Sequence, residues 1–297
     1  MSDAPAAAPV LIEKSLPPTE MVDCMLGASR WNIPIHEHGF IALVDCMPRL
    51  VPQGQTADCA IVQSARVSYG EGTKHVSEDR GLVRYLMRHH HSTPFEMVEF
   101  KFHIAMPIFI ARQWIRHRTA NVNEYSARYS IMPDRFYRPD VESVRKQSKS
   151  NRQGGEGPID SGTAEEFLKL LDDAESHYQR YIDLTERGVA RELARAALPV
   201  SVYTEWYWKC DLHNIFHFLA LRMDPHAQIE IQDYARAMYE LIKPIAPVAC
   251  EAFEDYRLHS MHLTGLEIEA IRSGAPLATE NKRETAEWDA KKARLGL

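Results

Sequence analysis

EMVEFKFHIAMPIFIARQWIRHR, Glu96–Arg118, decides the fold. In its first half Val98, Phe100, Phe102, Ile104 and Met106 alternate with Glu99, Lys101, His103 and Ala105. A period of two predicts a half-buried strand. Pro107 ends the alternation and predicts a helix through IFIARQWI, with the proline at its first position, where a missing N–H costs nothing. The helix then runs out into a cluster of arginines.

The same reading extends in both directions. SEDRGLVRYLMRHH predicts a helix capped by Ser77, with Leu82, Tyr85, Leu86 and His89 on one face. Before it, GFIALVDCMP and CAIVQSARVSYG read as strand or short helix around a turn at Pro52–Gly54. Residues 146–162 read as a long polar loop, the kind that serves as a lid. Thr163 and Glu166 fit a capping box for a helix with Phe167, Leu170, Leu171, Ala174, Tyr178, Tyr181 and Ile182 apolar, stopping near Gly188. ARELARAALP predicts a shorter helix ended by Pro199, and VSVYTEWYWK a strand. Asp211 caps LHNIFHFLALRM; Asp224-Pro225 opens a helix to about Ile242, and Pro247 another. The sum is an α+β fold: a mixed or antiparallel sheet packed with helices in a single domain, 21–265, between an N-terminal arm, 1–20, and a charged tail, 266–297.

Composition narrows the function. A net charge of −6 argues against a nucleic-acid or anionic-membrane binder, which needs basic excess. Any bound anion must then sit in a local basic pocket. The five cysteines are widely spaced with no CxxC, which suits reduced thiols in the cytoplasm. The first residues lack the basic and apolar runs of a signal peptide, and no apolar run approaches the roughly 18 residues of a membrane span.

Arg116-His117-Arg118 is the first candidate site. Neighbouring cations repel, so a shared turn needs a reason. Guanidinium groups match phosphate oxygens two bonds at a time, although on the triplet alone a solvated basic patch paired with carboxylates such as Glu124 is the commoner reading. Asn123, Glu124, Ser126 and Arg128 add directional donors and acceptors, a mixture suited to a nucleotide. If the backbone there is extended, Ser126 and Arg128 face one anion. Arg195 is flanked by apolar Ala and Leu in ELARAALP and Arg222 follows the apolar run FHFLAL, places where an arginine is paired internally or binds an anion. His89-His90-His91 diverge around a helix, and His213 with His217 supply two ligands without a third, so no metal is expected. Neither GxGxxG nor GxxxxGK[ST] occurs. A metal-dependent hydrolase using His213 and His217, or a non-catalytic nucleotide- or RNA-binding protein, stays open on these residues.

The RHR triplet, followed by seven residues and Ser126, resembles the signature of the flavin-dependent thymidylate synthases. SARVSYG (64–70), YLMRHHHSTPFE (85–96), NEYSARYS (123–130), ARAALP (194–199) and FLALRMDPHAQIEI (218–231) resemble the same family in its order, over roughly residues 35–260. The resemblance implies reductive methylation of dUMP to dTMP, with carbon from methylenetetrahydrofolate and electrons from NADPH through FAD, in a homotetramer with shared active sites. It implies flavin contacts at Ser68, His91, Thr93, Glu96, Arg116, His117, Arg118 and Glu124. Asp211, Leu212, His213 and His217 occupy the flavin-binding helix start, where the family often carries Asn and Arg. The implied dUMP contacts are Gln113, Trp114, Ile115, Arg116, Glu124, Tyr125, Ser126, Ala127, Arg128 and Arg195. Arg222 matches the arginine that activates the uracil ring. No cysteine here resembles the nucleophile of the other thymidylate synthases.

Overall fold

The computed structural model describes residues 10–11, 32–67, 79–149 and 154–297. Most of the predicted arm, the Ser77 cap and Ser68 therefore lie outside the described residues. In chain order the strands are β1 (Val10–Leu11), β2 (Asn32–Ile35), β3 (Gly39–Met47), β4 (Leu50–Val51), β5 (Glu99–Pro107), β6 (Asn121–Glu124), β7 (Arg145–Gln147), β8 (Gly155–Pro158) and β9 (Tyr203–Asp211). The helices are α1 (Asp58–Val67), α2 (Asp79–Arg88), α3 (Thr93–Glu96), α4 (Ile108–Trp114), α5 (Ser161–Glu186), α6 (Arg191–Ala194), α7 (Leu212–Arg222), α8 (Ile229–Ile242), α9 (Pro247–Phe253), α10 (Gly265–Ser273) and α11 (Lys282–Leu295). The chain forms two compact units, 1–252 and 253–297. In the second, α10 opens on a capping box between Thr264 and Glu267, and Lys291 of α11 donates to Glu267 at 2.8 Å.

Five antiparallel strands in the order β2-β3-β5-β9-β6 form the main sheet, so the α+β expectation holds. The quoted stretch is its central strand, β5, running into α4. Pro107 is the N-cap of α4 and the last strand residue rather than the first helical one. Phe100, Phe102 and Ile104 lie opposite Cys210, Trp208 and Trp206 of β9. Trp114 of α4 seals that layer: its ring stacks on Phe218 of α7 at 4.5 Å and meets Trp206 and Trp208 edge-on at 5.9 and 5.7 Å. Burying aromatic rings of this size removes the largest apolar areas the chain has from water.

The strand is not half-buried. His103 and Ala105, expected on a solvent face, are each 1 % exposed, and His103 hydrogen-bonds Glu205 across β5–β9 at 2.8 Å. Helix α8 joins the sheet through Tyr234, whose hydroxyl donates to the Ala105 carbonyl at 2.7 Å. A Cβ at Gly39 would overlap that hydroxyl, which explains a glycine at the β2–β3 turn.

Other expectations change. In α2 the buried face is Val83, Leu86 and Met87, while Tyr85 is exposed. Within the expected loop, β7 and β8 pair antiparallel, so its described residues are not structureless. Asp160, not Thr163, caps α5, accepting from the Thr163 N–H at 2.9 Å, so no Thr163–Glu166 box forms. Only part of the predicted apolar face of α5 is buried, with Leu170 62 % exposed. Asp224-Pro225 forms a turn, and α8 starts at Ile229. No helix among the described residues is long and apolar enough to cross a membrane.

Candidate functional site

Two polar clusters lie at opposite ends of β6. The first gathers around the C-terminal end of β9. Register places Glu99 opposite Asp211, so α3, just before β5, meets the start of α7. The turn after α4 carries Arg116, His117 and Arg118 to the same place, with the Thr119 carbonyl accepting from the Cys210 thiol at 3.2 Å. His117 then meets α7 itself. Its ring lies 4.9 Å from Phe218 and 5.9 Å from His217, and its Nε2 accepts from Arg222 Nε at 3.1 Å.

That bond fixes the state of His117. An acceptor Nε2 belongs to a neutral imidazole carrying its proton on Nδ1. Burial, the Arg222 guanidinium and His217 hold its pKa down at about 4. The RHR triplet is thus two cations around a neutral ring, not three adjacent cations. Burial also lowers the pKa of Arg222. Arg116 and Arg118 are exposed, and neither has a carboxylate partner among the described residues.

Other expected residues of this cluster differ in what they have free. Thr93, Glu96 and His91 are exposed around α3, with His91 stacked on Tyr85 at 6.1 Å. Asp211 is engaged in capping, taking the Asn214 N–H and side-chain amide at 2.9 and 2.8 Å. Leu212 has no exposed surface, and its N–H donates to the Val98 carbonyl at 2.8 Å, which leaves neither for a ligand. His213 is half-buried and His217 exposed on α7. Gln113, on the last turn of α4, donates to Gln228. Trp114 is fully buried, so its indole is removed from ligand contact, and Ile115 is exposed.

The second cluster lies past the other end of β6. Tyr125 N–H donates to the Glu205 carbonyl at 2.7 Å, and Glu124 accepts from Thr204 at 2.8 Å. Residues 126–129 then turn rather than extend, the Tyr129 N–H donating to the Ser126 carbonyl at 3.1 Å and the Arg128 N–H to Ser126 Oγ at 3.3 Å. Ala127 is buried against Met132, Phe136 and Val202 and anchors the turn. Arg191 braces it by donating to the Tyr129 carbonyl at 2.7 Å. Arg195, one helical turn later, lines with Glu124, Tyr125 and Ala127 a cavity of about 260 Å³. Sequence reading missed Arg191. The available signal was its i,i+4 spacing to Arg195, which puts both on one face.

A larger cavity, about 910 Å³, lies under the β7–β8 hairpin, walled by the start of α5 and residues 225–230. Among the described residues no three His, Cys, Asp or Glu side chains gather as metal ligands. Cys46, Cys59, Cys210 and Cys250 are thiols, and burial raises the pKa of Cys59 and Cys210, away from thiolate nucleophiles.

Comparison with known proteins settles the family. Residues 49–248 match the family model described as thymidylate synthase complementing protein. A flavin-dependent thymidylate synthase of Dictyostelium discoideum is 64% identical over 286 residues, 96% of this chain and 94% of that one. The chain belongs to the flavin-dependent thymidylate synthase family. A flavin-dependent thymidylate synthase of Gluconobacter oxydans is 52% identical over 86% of this chain and 85% of its own. Among solved structures, the UMP/dUMP methylase PolB from Streptomyces cacaoi, bound with 5-Br UMP, is 33% identical with a TM-score of 0.65, over 77% of this chain and 99% of that chain. Membership covers both clusters, since the matched residues run from before α1 to the start of α9.

Proposed function

We propose that this chain methylates dUMP reductively to dTMP, taking carbon from methylenetetrahydrofolate and electrons from NADPH through FAD, at a site assembled from the two clusters. The observation that carries this reading is the hydrogen bond between Arg222 and His117, 105 residues apart, which joins the RHR turn to the arginine assigned to the uracil. The test is NADPH oxidation dependent on dUMP and folate, with dTMP detected, by a yellow protein. A colourless protein that takes up no FAD would overturn it.

The donor set at the first cluster fits a flavin dinucleotide. Two guanidinium groups without carboxylate partners suit its diphosphate. We assign that role to Arg116 and Arg118, with the His117 Nδ1–H as a neutral donor. Thr93, Glu96, His91, His213 and His217 surround the same place, and Ser68 is assigned there from its motif alone. Bound FAD supplies the reducing electrons. Gln113 and Arg116, with the backbone of Trp114 and Ile115, hold the nucleotide next to it. We assign to Arg222 the stabilisation of the negative charge that develops on the pyrimidine carbonyl edge as carbon 5 becomes nucleophilic. Ser126, Arg128 and Arg195 hold the phosphate at the second cluster, alongside Glu124, Tyr125 and the Ala127 backbone.

One chain separates these halves by the length of β6, and no hydrogen bond or ion pair joins them among the described residues. The reading therefore places each site between chains of a homotetramer. Leu170 and Leu193, 62 % and 69 % exposed, lie on α5 and α6 and offer apolar surface for association. Arg222→Ala and Arg195→Ala proteins should each be inactive or weak. Refolded together, they should regain activity, because a mixed site takes Arg222 from one chain and Arg195 from another. Failure of any mixture to exceed the separate variants would show that each chain builds its own site. The thiols suit a cytoplasmic protein, and we assign catalysis to 21–265, with 1–20 and 266–297 as appendages.

The β7–β8 hairpin roofs the larger cavity, which shares Pro199 and Val200 with the cavity at Arg195; there we place the approach of folate or dUMP. Deleting Ser148–Gly157 should raise the KM for one of the two substrates several-fold. Unchanged values for both would remove the hairpin from substrate binding.

A further inference from the structure

We infer that Gln228 is a positioning residue that sets the orientation of the Gln113 carboxamide and thereby the hydrogen-bonding polarity offered to the nucleotide. The inference rests on the assignment of Gln113 to the dUMP site. The two side chains meet across 115 residues, with Gln113 Nε2 donating to Gln228 Oε1.

Gln228 holds the N-cap position of α8, yet its side chain makes no capping bond to the helix it precedes. Polar N-cap side chains ordinarily accept from the first turn. Here the side chain is directed to Gln113 instead, and the approach to the helix is held another way. Gln232, 5 % exposed, donates from Nε2 to the Ala227 carbonyl at 2.8 Å and to the Pro225 carbonyl at 3.5 Å. Its own Oε1 accepts from Arg236 at 2.7 Å, which settles its amide orientation. The Gln232 N–H donates to the Gln228 carbonyl at 3.1 Å. Gln228 is thus presented from a backbone braced by a buried side chain.

A carboxamide has a donor end and an acceptor end. With its NH₂ committed to Gln228, Gln113 has its carbonyl oxygen left to accept, and that oxygen has no partner among the described residues. Arg116 and Arg222, assigned to the same nucleotide, supply donors only. The pair therefore adds an acceptor that those arginines cannot supply, and dUMP carries donor hydrogens that need one: the base N3–H and the sugar hydroxyl. Without Gln228 the amide is free to turn over, which sets an N–H against those hydrogens and forfeits the bond.

The test compares Gln228→Glu, Gln228→Leu and Gln113→Ala in the FAD-loaded enzyme. Glutamate accepts but cannot donate, so Gln228→Glu should keep the KM for dUMP within about twofold of wild type. Leucine accepts nothing, and Gln228→Leu should raise that KM roughly tenfold or more, with kcat falling less than KM rises and flavin content maintained. Dissociation constants for dUMP by calorimetry should follow the same order. Loss of the Leu effect with N3-methyl-dUMP would identify the base as the donor, and its loss with the 3′-deoxy nucleotide would identify the sugar. A Glu variant as impaired as the Leu variant would overturn the assigned direction, and with it the inference. If Gln113→Ala raises KM while Gln228→Leu does not, the inference fails but Gln113 stays in the site. If Gln113→Ala leaves dUMP binding unchanged, the underlying assignment fails as well.

Discussion

Replacing Arg222 with alanine should reduce dTMP formation by about 100- to 1000-fold, the loss that follows removal of a preorganised donor at developing negative charge. The protein should still be yellow, because the groups assigned to the flavin diphosphate, Arg116 and Arg118, are untouched. The guanidinium of Arg222 is half-buried and donates from Nε to a neutral ring rather than to a carboxylate. Among the described residues no carboxylate pairs with it, and its two terminal nitrogens have no protein partner. A cation held this way keeps its field for a ligand. Lysine at this position retains charge but lacks the planar set of donors, so Arg222→Lys should fall between wild type and alanine. The alanine variant should also leave a trace on His117, since Arg222 is one cause of its low pKa. That pKa should rise towards, but not reach, the ordinary histidine value, because burial is the larger cause. Proton NMR of the imidazole would read the change. An Arg222→Ala protein with near-normal dTMP formation would remove Arg222 from the chemistry.

Much of the site proposed above is drawn from features legible in the amino-acid sequence. The RHR turn stands out as adjacent cations, Ser126–Arg128 as directional groups beside it, and Arg195 and Arg222 as cations beside apolar residues. The state of His117 is not legible there: in the sequence it has two arginine neighbours, and only the fold brings Arg222 and His217 against its ring. Gln228 escapes notice for the same reason, its partner being 115 residues away. The turn at 126–129 defeats the expectation of an extended segment, since a serine hydroxyl can bond the backbone two residues on. For the fold, alternation locates β5 and β9 because Phe100, Phe102, Trp206 and Trp208 mark one face, although Tyr203 and Tyr207 lie on the other. The opposite face carries His103, Ala105 and Glu205, types that read as solvent-facing although the sheet buries them. The β7–β8 hairpin leaves no signal, because strands of three and four exposed residues bury nothing and need no apolar alternation. At α5, Asp160 and Thr163 are both good caps. The backbone N–H of Thr163 is the one Asp160 takes, so the box that would start at Thr163 lies inside the helix.

The hidden face supplies the second large effect. Glu205→Leu should lower the free energy of unfolding by about 3 kcal/mol, the usual consequence of stripping one partner from a buried polar pair. Glu205 and His103 are each 1 % exposed and bonded at 2.8 Å, and the His103 ring is packed between Phe40 and Tyr207 at 5.1 and 4.9 Å. Held in that slot, His103 loses the Glu205 bond without gaining water in its place. A second substitution should separate loss of that bond from loss of packing. His103→Leu together with Glu205→Leu removes both polar groups of the bond, so the double variant should be more stable than Glu205→Leu alone. Urea denaturation at fixed protein concentration would measure both, concentration being held so that the proposed association weighs equally on each. The position also bears on function. The Glu205 carbonyl anchors Tyr125 and the adjacent Thr204 hydroxyl holds Glu124, so β9 carries the segment assigned to the nucleotide phosphate. Below its unfolding transition, the Glu205→Leu protein should therefore show a raised KM for dUMP before it shows any loss of FAD. A single variant costing less than about 1 kcal/mol would mean that the pair is solvated or repaired by neighbours. The sheet would then hold the phosphate segment through its backbone ladder alone.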